Sequence, residues 1–206
     1  MVARDMVNRN SPQESDDFIP TPPYATRALY EFVAPELKEY ALTSTVLDPS
    51  AGAGHMLRVF KEYRHLDVWG SDLNDHGAGM TITTGVDYRK CPIKGVDYII
   101  TNPPYKHLNE FIEKALDDAK LGVSMLVRVQ ALESQSRYEI FKKHPPTQVA
   151  FFSDRIPFKS GVVVRRAPKM FFHTWLWWNK LDSAPRPPMW LPPGLQGMLE
   201  KPHDYK

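Results

Sequence analysis

The motif Asn102-Pro103-Pro104-Tyr105 stands directly after a short run, residues 97–101, that is rich in β-branched and aromatic side chains. Such a run is typical of a β-strand, and the two prolines end it because they lack an N–H group and have a fixed φ. Pro103 also favours an extended backbone at Asn102. The sequence therefore predicts a stiff loop at the carboxyl end of a strand, which holds a polar amide and an aromatic ring in fixed directions.

A glycine-rich turn, "DPSAGAG" at residues 48–54, precedes this motif and joins a predicted strand to a predicted helix. Gly52 and Gly54 allow a ligand to approach the backbone closely, because neither has a Cβ. The turn is neither the dinucleotide-binding Gly-x-Gly-x-x-Gly nor a P-loop, which needs a Lys followed by Ser or Thr. Asp48 would repel phosphate and favours a ligand with a positive charge, such as an amino group.

Asp72 ends the next predicted strand, about 20 residues beyond the turn, where open α/β folds use an acid to accept hydrogen bonds from ribose hydroxyls. With Asp48, it predicts a nucleoside ligand that has a cationic group and no phosphate. S-adenosylmethionine meets these conditions, and NAD meets them less well. The structural alternative is a turn that only packs the helix on the strand, with Asp48 and Asp72 as helix caps.

These motifs, in this order, resemble those of S-adenosylmethionine-dependent N6-adenine DNA methyltransferases, in particular the small phage and prophage enzymes. "DPSAGAG" is similar to the cofactor motif of that family, "NPPY" to its catalytic motif and "SDL" to its ribose motif. "TPPYATRALYE" resembles the segment that helps to hold the methionine part of the cofactor, and "TTGVDY" the motif whose Asp reaches the cofactor adenine. The resemblance covers roughly residues 18–180 and includes "RIPF" and "FFHTWLWWNK".

The resemblance implies a catalytic role for each residue of the proline loop. The Asn102 side-chain oxygen and the Pro103 carbonyl would accept the hydrogens of adenine N6, a poor nucleophile whose lone pair is delocalised into the ring. Pro104 would help to fix this geometry. Tyr105 would stack on a base that has flipped out of the duplex. No strong general base is needed, because the methylated ammonium loses its proton readily.

The resemblance also implies the cofactor contacts. Asp48 would contact the ammonium group, and Asp87 would accept a hydrogen bond from the adenine amino group. Thr21 and Pro22 would shape the methionine pocket, although they could simply start a helix, and Asp87 could be a turn residue. The predicted cofactor-binding residues are Thr21, Pro22, Asp48, Ser50, Gly52, Gly54, Asp72, Leu73 and Asp87.

A basic stretch, "DRIPFKSGVVVRRAPK", lies between the last two predicted strands. Cations beside a catalytic face suit phosphate contacts, which position DNA without reading its sequence, but a solvated hairpin is an equally good explanation. Phe158 is a candidate for the second stacking face of the flipped base. The candidate substrate-binding residues are Tyr105, Phe158, Arg155, Lys159, Arg165 and Arg166, and Lys169 belongs to the same basic stretch.

The elements that must position these residues alternate between strand and helix. Strands are predicted at 45–47, 68–70, 80–88, 97–101, 122–129, 147–153 and 171–179, and helices after Pro23, from Gly54, and over 107–120 and 132–144. This alternation predicts an α/β fold with a mostly parallel, seven-stranded sheet and helices on both faces, and the resemblance makes it a Rossmann-like class I methyltransferase fold. Residues 1–17 are expected to be a flexible arm, 18–181 the methyltransferase domain, and 182–206 a proline-rich tail without a helix or central strand.

Length and composition narrow the class of protein. A chain of 206 residues with a net charge of +2 is one domain of ordinary size. The single cysteine, Cys91, excludes an intrachain disulfide and a cysteine-based zinc cluster, and the scattered histidines predict no metal site. The sequence lacks a long apolar run or signal-peptide pattern, which predicts a soluble, intracellular protein without a membrane partner. The resemblance to phage enzymes implies the cytoplasm of a bacterial or phage-infected cell.

Little of the sequence is left for the separate target-recognition domain that larger members of the family carry. Target choice in DNA is therefore expected to come from short loops, the arm, the tail, a homodimer or a partner subunit. The Asn-Pro-Pro-Tyr motif also serves methyl transfer to adenine in RNA and to the glutamine amide of proteins, so these substrates remain alternatives. A catalytically inactive, cofactor-binding subunit is a further alternative.

Overall fold

The computed structural model describes residues 18–78, 81–168 and 171–205, so the predicted arm 1–17 and Lys169 lie outside the described residues. The strands are β1 Thr45–Asp48, β2 Asp67–Gly70, β3 Tyr98–Thr101, β4 Gly122–Arg128, β5 Gln148–Phe152, β6 His173–Asn179 and β7 Met189–Leu191. They form one sheet in the order β2-β1-β3-β4-β6-β5-β7.

The helices are short. They are α1 Pro23–Ala28, α2 Glu36–Glu39, α3 His55–Glu62, α4 Leu108–Asp118, α5 Gln135–Lys143 and α6 Leu195–Leu199. A π-helical turn, Leu29–Val33, continues α1. None of the helices in the described residues has the length and apolar character that crossing a bilayer requires.

The sheet is mostly parallel, as predicted. Strands β2, β1, β3 and β4 run parallel, whereas β6 is antiparallel to both β4 and β5. From β1 the chain moves outward to β2 and then returns to β3 on the other side, so the strand order reverses between β1 and β3. Open α/β sheets bind ligands in the crevice beyond the carboxyl ends of their strands at such a point. Asp48 and Asn102, which end or follow these two strands, are therefore brought to the same crevice.

Helices cover both faces of the sheet and give each face its own apolar core. Residues of α1 and α3 pack in one core, and residues of α4 and α5 pack in the other. Strand β6 is buried at all of its positions. Its indole N–H groups are satisfied, since Trp175 donates to the Ala25 carbonyl at 3.0 Å and Trp178 to the His144 carbonyl at 2.9 Å. The tryptophans of β6 thus belong to the core.

The strand predicted at 80–88 is wrong. Within the described part of this stretch, pairing is limited to a single bridge between Ser71 and Thr83. The stretch lies beyond β2 at the edge of the sheet, where Ile82 packs against one core and Tyr88 is buried in the other. Gly85 then takes a φ of +75°, which an extended strand does not allow. The seventh strand is β7 instead.

The expectation that 182–206 contains no helix is also wrong. Strand β7 adds to the edge of the sheet beside β5, and α6 follows it. The prolines of this stretch flank α6 and do not interrupt it, and Gly194 enters the helix with a φ of +79°. Strand β7 occupies an edge, where proline neighbours are tolerated, so the expectation of no central strand agrees with the structure.

Candidate functional site

A solvent-open cleft of about 1130 Å³ lies at the carboxyl ends of β1, β2 and β3. This figure includes the open solvent of the cleft. The predicted residues that line it are Thr21, Asp48, Ser50, Gly52, Asp72, Leu73, Asp87, Asn102, Pro103, Pro104 and Tyr105. The glycine turn and the proline loop therefore share one site, although 48 positions separate Gly54 at the end of the turn from Asn102 at the start of the loop.

Two predicted cofactor residues do not line the cleft. Pro22 is buried at the start of α1, and Gly54 precedes α3 with a φ of +77°. Both residues shape the backbone beside the site. Pro22 fixes the entry to α1, and Gly54 supplies the left-handed conformation that admits the chain into α3.

Asp48 is buried with 1% of its surface exposed, and its carboxylate accepts a hydrogen bond from the Ser50 N–H at 3.1 Å. Burial raises the pKa of this carboxyl from its ordinary value of 3.8 to about 7, and the nearby charge of Asp72 acts in the same direction. A cation bound in the cleft would favour the ionised form. Asp48 is not a helix cap, because α3 begins without a side-chain cap.

Asp72 braces the glycine turn. One carboxylate oxygen accepts the Gly52 N–H at 2.8 Å, and the other accepts the Asn74 N–H at 2.9 Å. No helix follows Asp72 directly, so it does not act as a cap either. Since each carboxylate oxygen has a second lone pair, Asp72 can still accept a hydrogen bond from a ligand.

Two aromatic rings that the sequence analysis missed lie at the glycine turn. A Cβ on Gly52, whose φ is +54°, would lie 2.3 Å from a ring carbon of Phe18. The Phe18 ring in turn stacks on His76, with the ring centroids 4.2 Å apart. Both rings line the cleft. The only signal for Phe18 in the sequence is that it is the first aromatic residue after a polar segment.

Asn102 is held by the segment that precedes α1. Its side-chain nitrogen donates to Thr21 Oγ1 at 3.1 Å and to the Ile19 carbonyl at 3.3 Å. Its Oδ1 makes no hydrogen bond within the part of the chain that the structure describes. Because Asn102 lines the cleft, this oxygen is the acceptor that the site offers to a substrate.

Tyr105 starts a 3-10 turn, Tyr105–His107, that leads into α4. The guanidinium carbon of Arg128, the last residue of β4, lies 4.3 Å from the centroid of the Tyr105 ring and 3.9 Å from that of Phe171. Such short separations are favourable cation–π contacts. The buried Nε of Arg128 has no hydrogen-bond partner among the described residues. The sequence analysis missed Arg128, although a cation that ends an apolar strand beside β3 was a usable signal.

Asp87 lines the cleft but is already paired. The Arg89 guanidinium donates to both of its carboxylate oxygens, each at 2.8 Å, and these bonds lower the pKa of Asp87 to about 2. The backbone carbonyl of Asp87 also accepts the Lys90 N–H at 3.0 Å. Asp87 is thus a turn residue, as the alternative proposed, and keeps part of its acceptor capacity for the cleft.

The described cations of the basic stretch, Arg155, Lys159, Arg165 and Arg166, are exposed and do not line the cleft. Arg165 forms an ion pair with Glu200, and the Arg155 guanidinium lies 4.1 Å from the centroid of the Phe172 ring. Phe158 packs on His173, with ring centroids 4.6 Å apart, and does not line the cleft. Because Lys159 and Arg166 are exposed, the phosphate groups of a nucleic acid can reach them.

Neither a protein-family model nor a curated protein matches the chain. Similarity is found among solved structures, at 14–16% identity. One is a protein from Listeria monocytogenes described as a class I S-adenosylmethionine-dependent methyltransferase, with a TM-score of 0.55 and 14% identity. It aligns with 83% of this chain and 64% of its own.

Two further structures are similar. The first is described as a modification subunit of a type I restriction enzyme from Vibrio vulnificus YJ016, with a TM-score of 0.57 and 14% identity, over 88% of this chain and 49% of that subunit. The second is described as an RNA methyltransferase from Pyrococcus horikoshii, with a TM-score of 0.57 and 16% identity, over 77% of this chain and 84% of that protein. The chain thus spans about half of the modification subunit and under two thirds of the Listeria protein, and it has the fold of the class I S-adenosylmethionine-dependent methyltransferases.

Proposed function

We propose that the chain transfers a methyl group from S-adenosylmethionine to the N6 amino group of adenine in DNA. The observation that carries this proposal is the convergence, in one cleft of a class I methyltransferase fold, of the buried Asp48 and the Asn102-Pro103-Pro104-Tyr105 loop. The Asp48 carboxylate can pair with a cationic group of the cofactor, and the loop offers acceptors for the hydrogens of a planar amino group. Neither feature alone would identify the reaction.

The cofactor half of the cleft fits S-adenosylmethionine. Asp48 is a buried carboxylate without a cationic partner among the described residues, and an ammonium group would supply one. Gly52 lets a ligand approach the backbone of the turn if the Phe18 ring moves aside. Asp72 can accept hydrogen bonds from ribose hydroxyls. We assign the same pocket to Thr21, Ser50, Leu73 and Asp87, with Pro22 and Gly54 shaping its backbone. When bound, the cofactor supplies an electrophilic methyl group on its sulfonium.

The catalytic half of the cleft activates an amino group. Asn102 Oδ1 and the Pro103 carbonyl accept the two hydrogens of adenine N6, which returns electron density to the nitrogen. The fixed φ angles of Pro103 and Pro104 hold both acceptors in place before the substrate arrives, so little of the barrier is spent on ordering them. The proton that N6 loses passes to solvent.

The face of the cleft around Tyr105 would hold the flipped base and its strand. Tyr105 offers a ring on which adenine can stack, which is worth roughly 1–3 kcal/mol per base. Arg128 adds a cation beside that ring. Arg155, Lys159 and Arg166 would contact phosphates, while Arg165 must first leave Glu200. Phe158, which packs on His173, is a weaker candidate for the second stacking face.

DNA is favoured over RNA or protein by the resemblance of "TPPYATRALYE" and of the C-terminal half to phage DNA enzymes. Structures described as a modification subunit of a type I restriction enzyme and as an RNA methyltransferase have similar folds, so the fold does not discriminate between DNA and RNA as the substrate. We propose that the chain methylates loosely defined sites or relies on a homodimer or a partner subunit for target choice. A single long and strictly defined site in methylation mapping would contradict the loose specificity.

The test is transfer of a labelled methyl group to unmethylated duplex DNA, RNA and protein, followed by digestion of the products. We expect N6-methyladenine in DNA, and Asn102→Ala should reduce its rate roughly 100- to 1000-fold while cofactor binding persists. Asn109→Ala is the matched control, since Asn109 lies on α4 outside the cleft and bonds to Ser136. Label that enters only RNA or protein, or none of the three, would refute the proposed substrate.

A further inference from the structure

Asn102 has a side chain whose two ends have opposite hydrogen-bonding character. The amide oxygen accepts and the amide nitrogen donates, and a half-turn about the last side-chain bond exchanges them. An amino-group substrate needs the oxygen, because the nitrogen would meet its N–H groups donor to donor. The activity proposed above therefore requires a second group that decides which end of Asn102 faces the cleft.

The structure contains such a group in the segment "IPTPP", residues 19–23. The Ile19 carbonyl, 3.3 Å from the Asn102 side-chain nitrogen, can only accept, so it excludes the reversed amide. Thr21 Oγ1 lies 3.1 Å from the same nitrogen. Together these two atoms can take both N–H hydrogens of Asn102, and they leave its oxygen for the cleft.

The segment is built to keep these two acceptors in place. Ile19 and Thr21 each precede a proline, which favours an extended backbone at both residues. Pro20 and Pro22 have fixed φ angles, and Thr21 retains only 4% of its surface exposed. The restricted backbone thus keeps the Ile19 carbonyl and the Thr21 hydroxyl within reach of the same amide nitrogen.

We infer that Thr21, although it lines the cofactor pocket, is a positioning residue of the methyl-transfer reaction: it orients the Asn102 amide and does not itself hold the cofactor, which revises the role assigned to it above. This inference rests on the proposed function, because it requires a substrate amino group at Asn102. It changes the expected kinetics, since a cofactor contact supports substrate binding, whereas an orienting contact supports the chemical step.

Thr21→Val removes the hydroxyl with little change of shape, and Thr21→Ser keeps the hydroxyl. In Thr21→Val we expect kcat to fall roughly 3- to 10-fold, the effect of one neutral hydrogen bond, with the KM for S-adenosylmethionine unchanged. Thr21→Ser should restore most of kcat. In an Asn102→Ala background, Thr21→Val should have no further effect, since there is no amide left to orient.

Three results would overturn the inference: a raised KM for S-adenosylmethionine at constant kcat in Thr21→Val, no rescue by Thr21→Ser, or additive losses in the double variant. Urea unfolding of each variant separates a loss of folded protein from a loss of rate. If the wild-type protein methylates RNA or protein instead of DNA, the proposed substrate fails, and the same kinetic comparison is made on the substrate that reacts.

A measurement without turnover keeps the inference testable if no substrate reacts. The side-chain amide hydrogens of Asn102, assigned by their loss in Asn102→Ala, should exchange with solvent faster in Thr21→Val than in the wild-type protein or Thr21→Ser. Equal exchange rates in all three proteins would show that Thr21 does not hold the amide, and would overturn the inference independently of the reaction.

Discussion

Asp48 ends β1 and is buried beside the glycine turn, and its protonation depends on what occupies the cleft. In the unfolded chain it ionises near its ordinary pKa of 3.8, whereas burial raises the pKa of the folded form to about 7. The stability that this difference contributes is therefore complete below about pH 4 and is lost as the pH rises to about 7. A bound ammonium group would offset this loss by stabilising the ionised form.

We expect the affinity for S-adenosylmethionine to rise with pH between 5 and 7, approaching tenfold per unit at the acidic end, because Asp48 must lose its proton before it can pair with a cation. Asp87 and His55, which also line the cleft, have pKa values of about 2 and about 4, lowered by the Arg89 hydrogen bonds and by burial respectively. They do not titrate in this range. His76 and His107 line the cleft as well, so a variant of Asp48 is needed to assign the rise to that residue.

The measurement is calorimetric titration at several pH values. Asp48→Asn should weaken binding and remove this rise, whereas Asp75→Asn, which changes an exposed carboxylate on the next loop, should keep it. An unchanged pH dependence in Asp48→Asn would show that another group controls binding.

At this scale the sequence predicted the residues whose role follows from a local motif, and missed those whose role depends on distant neighbours. Asp48 and Asn102 stand inside recognisable motifs, and both line the cleft. Arg128 was missed because its significance comes from the rings of Tyr105 and Phe171, which only the folded chain brings to it. The hydrogen bond between Thr21 and Asn102 spans 81 positions of the chain and has no local signature.

The glycine turn shows how an element depends on its neighbours as well as on its own backbone. Gly52 and Gly77 both have positive φ values, +54° and +65°, which a side chain rarely adopts. They differ in surroundings, because a Cβ at Gly52 would meet the Phe18 ring, whereas a Cβ at Gly77 would meet nothing within 4 Å. The two glycines therefore separate backbone strain from steric conflict.

Gly77→Ala should lower the free energy of unfolding by about 1–2 kcal/mol, the cost of a left-handed alanine. Gly52→Ala should lower it by ~1 kcal/mol more, since the Phe18 ring must also leave its place on His76. Urea denaturation measures both changes. In a Phe18→Ala background the excess at Gly52 should disappear, and a persistent excess would place the conflict elsewhere.

The elements themselves were predictable where an apolar run stood between clear breaks. The strand predicted at 97–101 is β3, because it is apolar, buried and closed by two prolines. The stretch 80–88 also has strand-like residues, and β2 is the strand beside which it would have to pair. Because β2 is itself only partly buried, pairing there is limited to the single bridge between Ser71 and Thr83. Strand β7 was missed because proline-rich surroundings argue against a strand except at a sheet edge.

At the scale of the whole molecule, one buried ion cluster ties three remote parts of the chain together. The Arg27 guanidinium on α1 donates to both carboxylate oxygens of Asp204, each at 2.7 Å, and to Glu62 of α3 at 2.7 and 2.8 Å. Its Nη1 also bonds to the Leu199 carbonyl of α6 at 2.7 Å. The expected proline-rich tail is thus fastened to the helix that follows the Thr21 segment.

Removing one partner of a buried ion pair typically costs 3–5 kcal/mol. We expect Asp204→Ala to lower the free energy of unfolding by about 3 kcal/mol, at the lower end because Glu62 still faces Arg27. Lys201→Ala is the matched control. Lys201 is a half-exposed partner of Glu62 in the same cluster, and its loss should cost at most about 1 kcal/mol. Equal losses in the two variants, measured by urea denaturation, would show that burial does not strengthen the cluster.

The cluster also bears on the expectation of no metal site. Glu62, His203 and Asp204 carry potential ligand atoms within 4.8 Å of one another. Arg27 and Lys201 already pair with the two carboxylates, however. A cation would have to compete with both of them, so the absence of a metal stays a prediction.

The link between Arg27 and Asp204 spans 177 positions of the chain, and this separation has a consequence for protein synthesis. At about 5–20 residues per second, a ribosome needs roughly 9 to 35 s to travel that distance. During that time the Arg27 guanidinium lacks Asp204, although Glu62 has already been synthesised, and β5 lacks the edge strand β7. The edge of the sheet at β7 and the contact between Arg27 and Asp204 are therefore completed only after strands β1 to β6 have been synthesised. Co-translational chaperones that shield apolar segments would matter most in that interval.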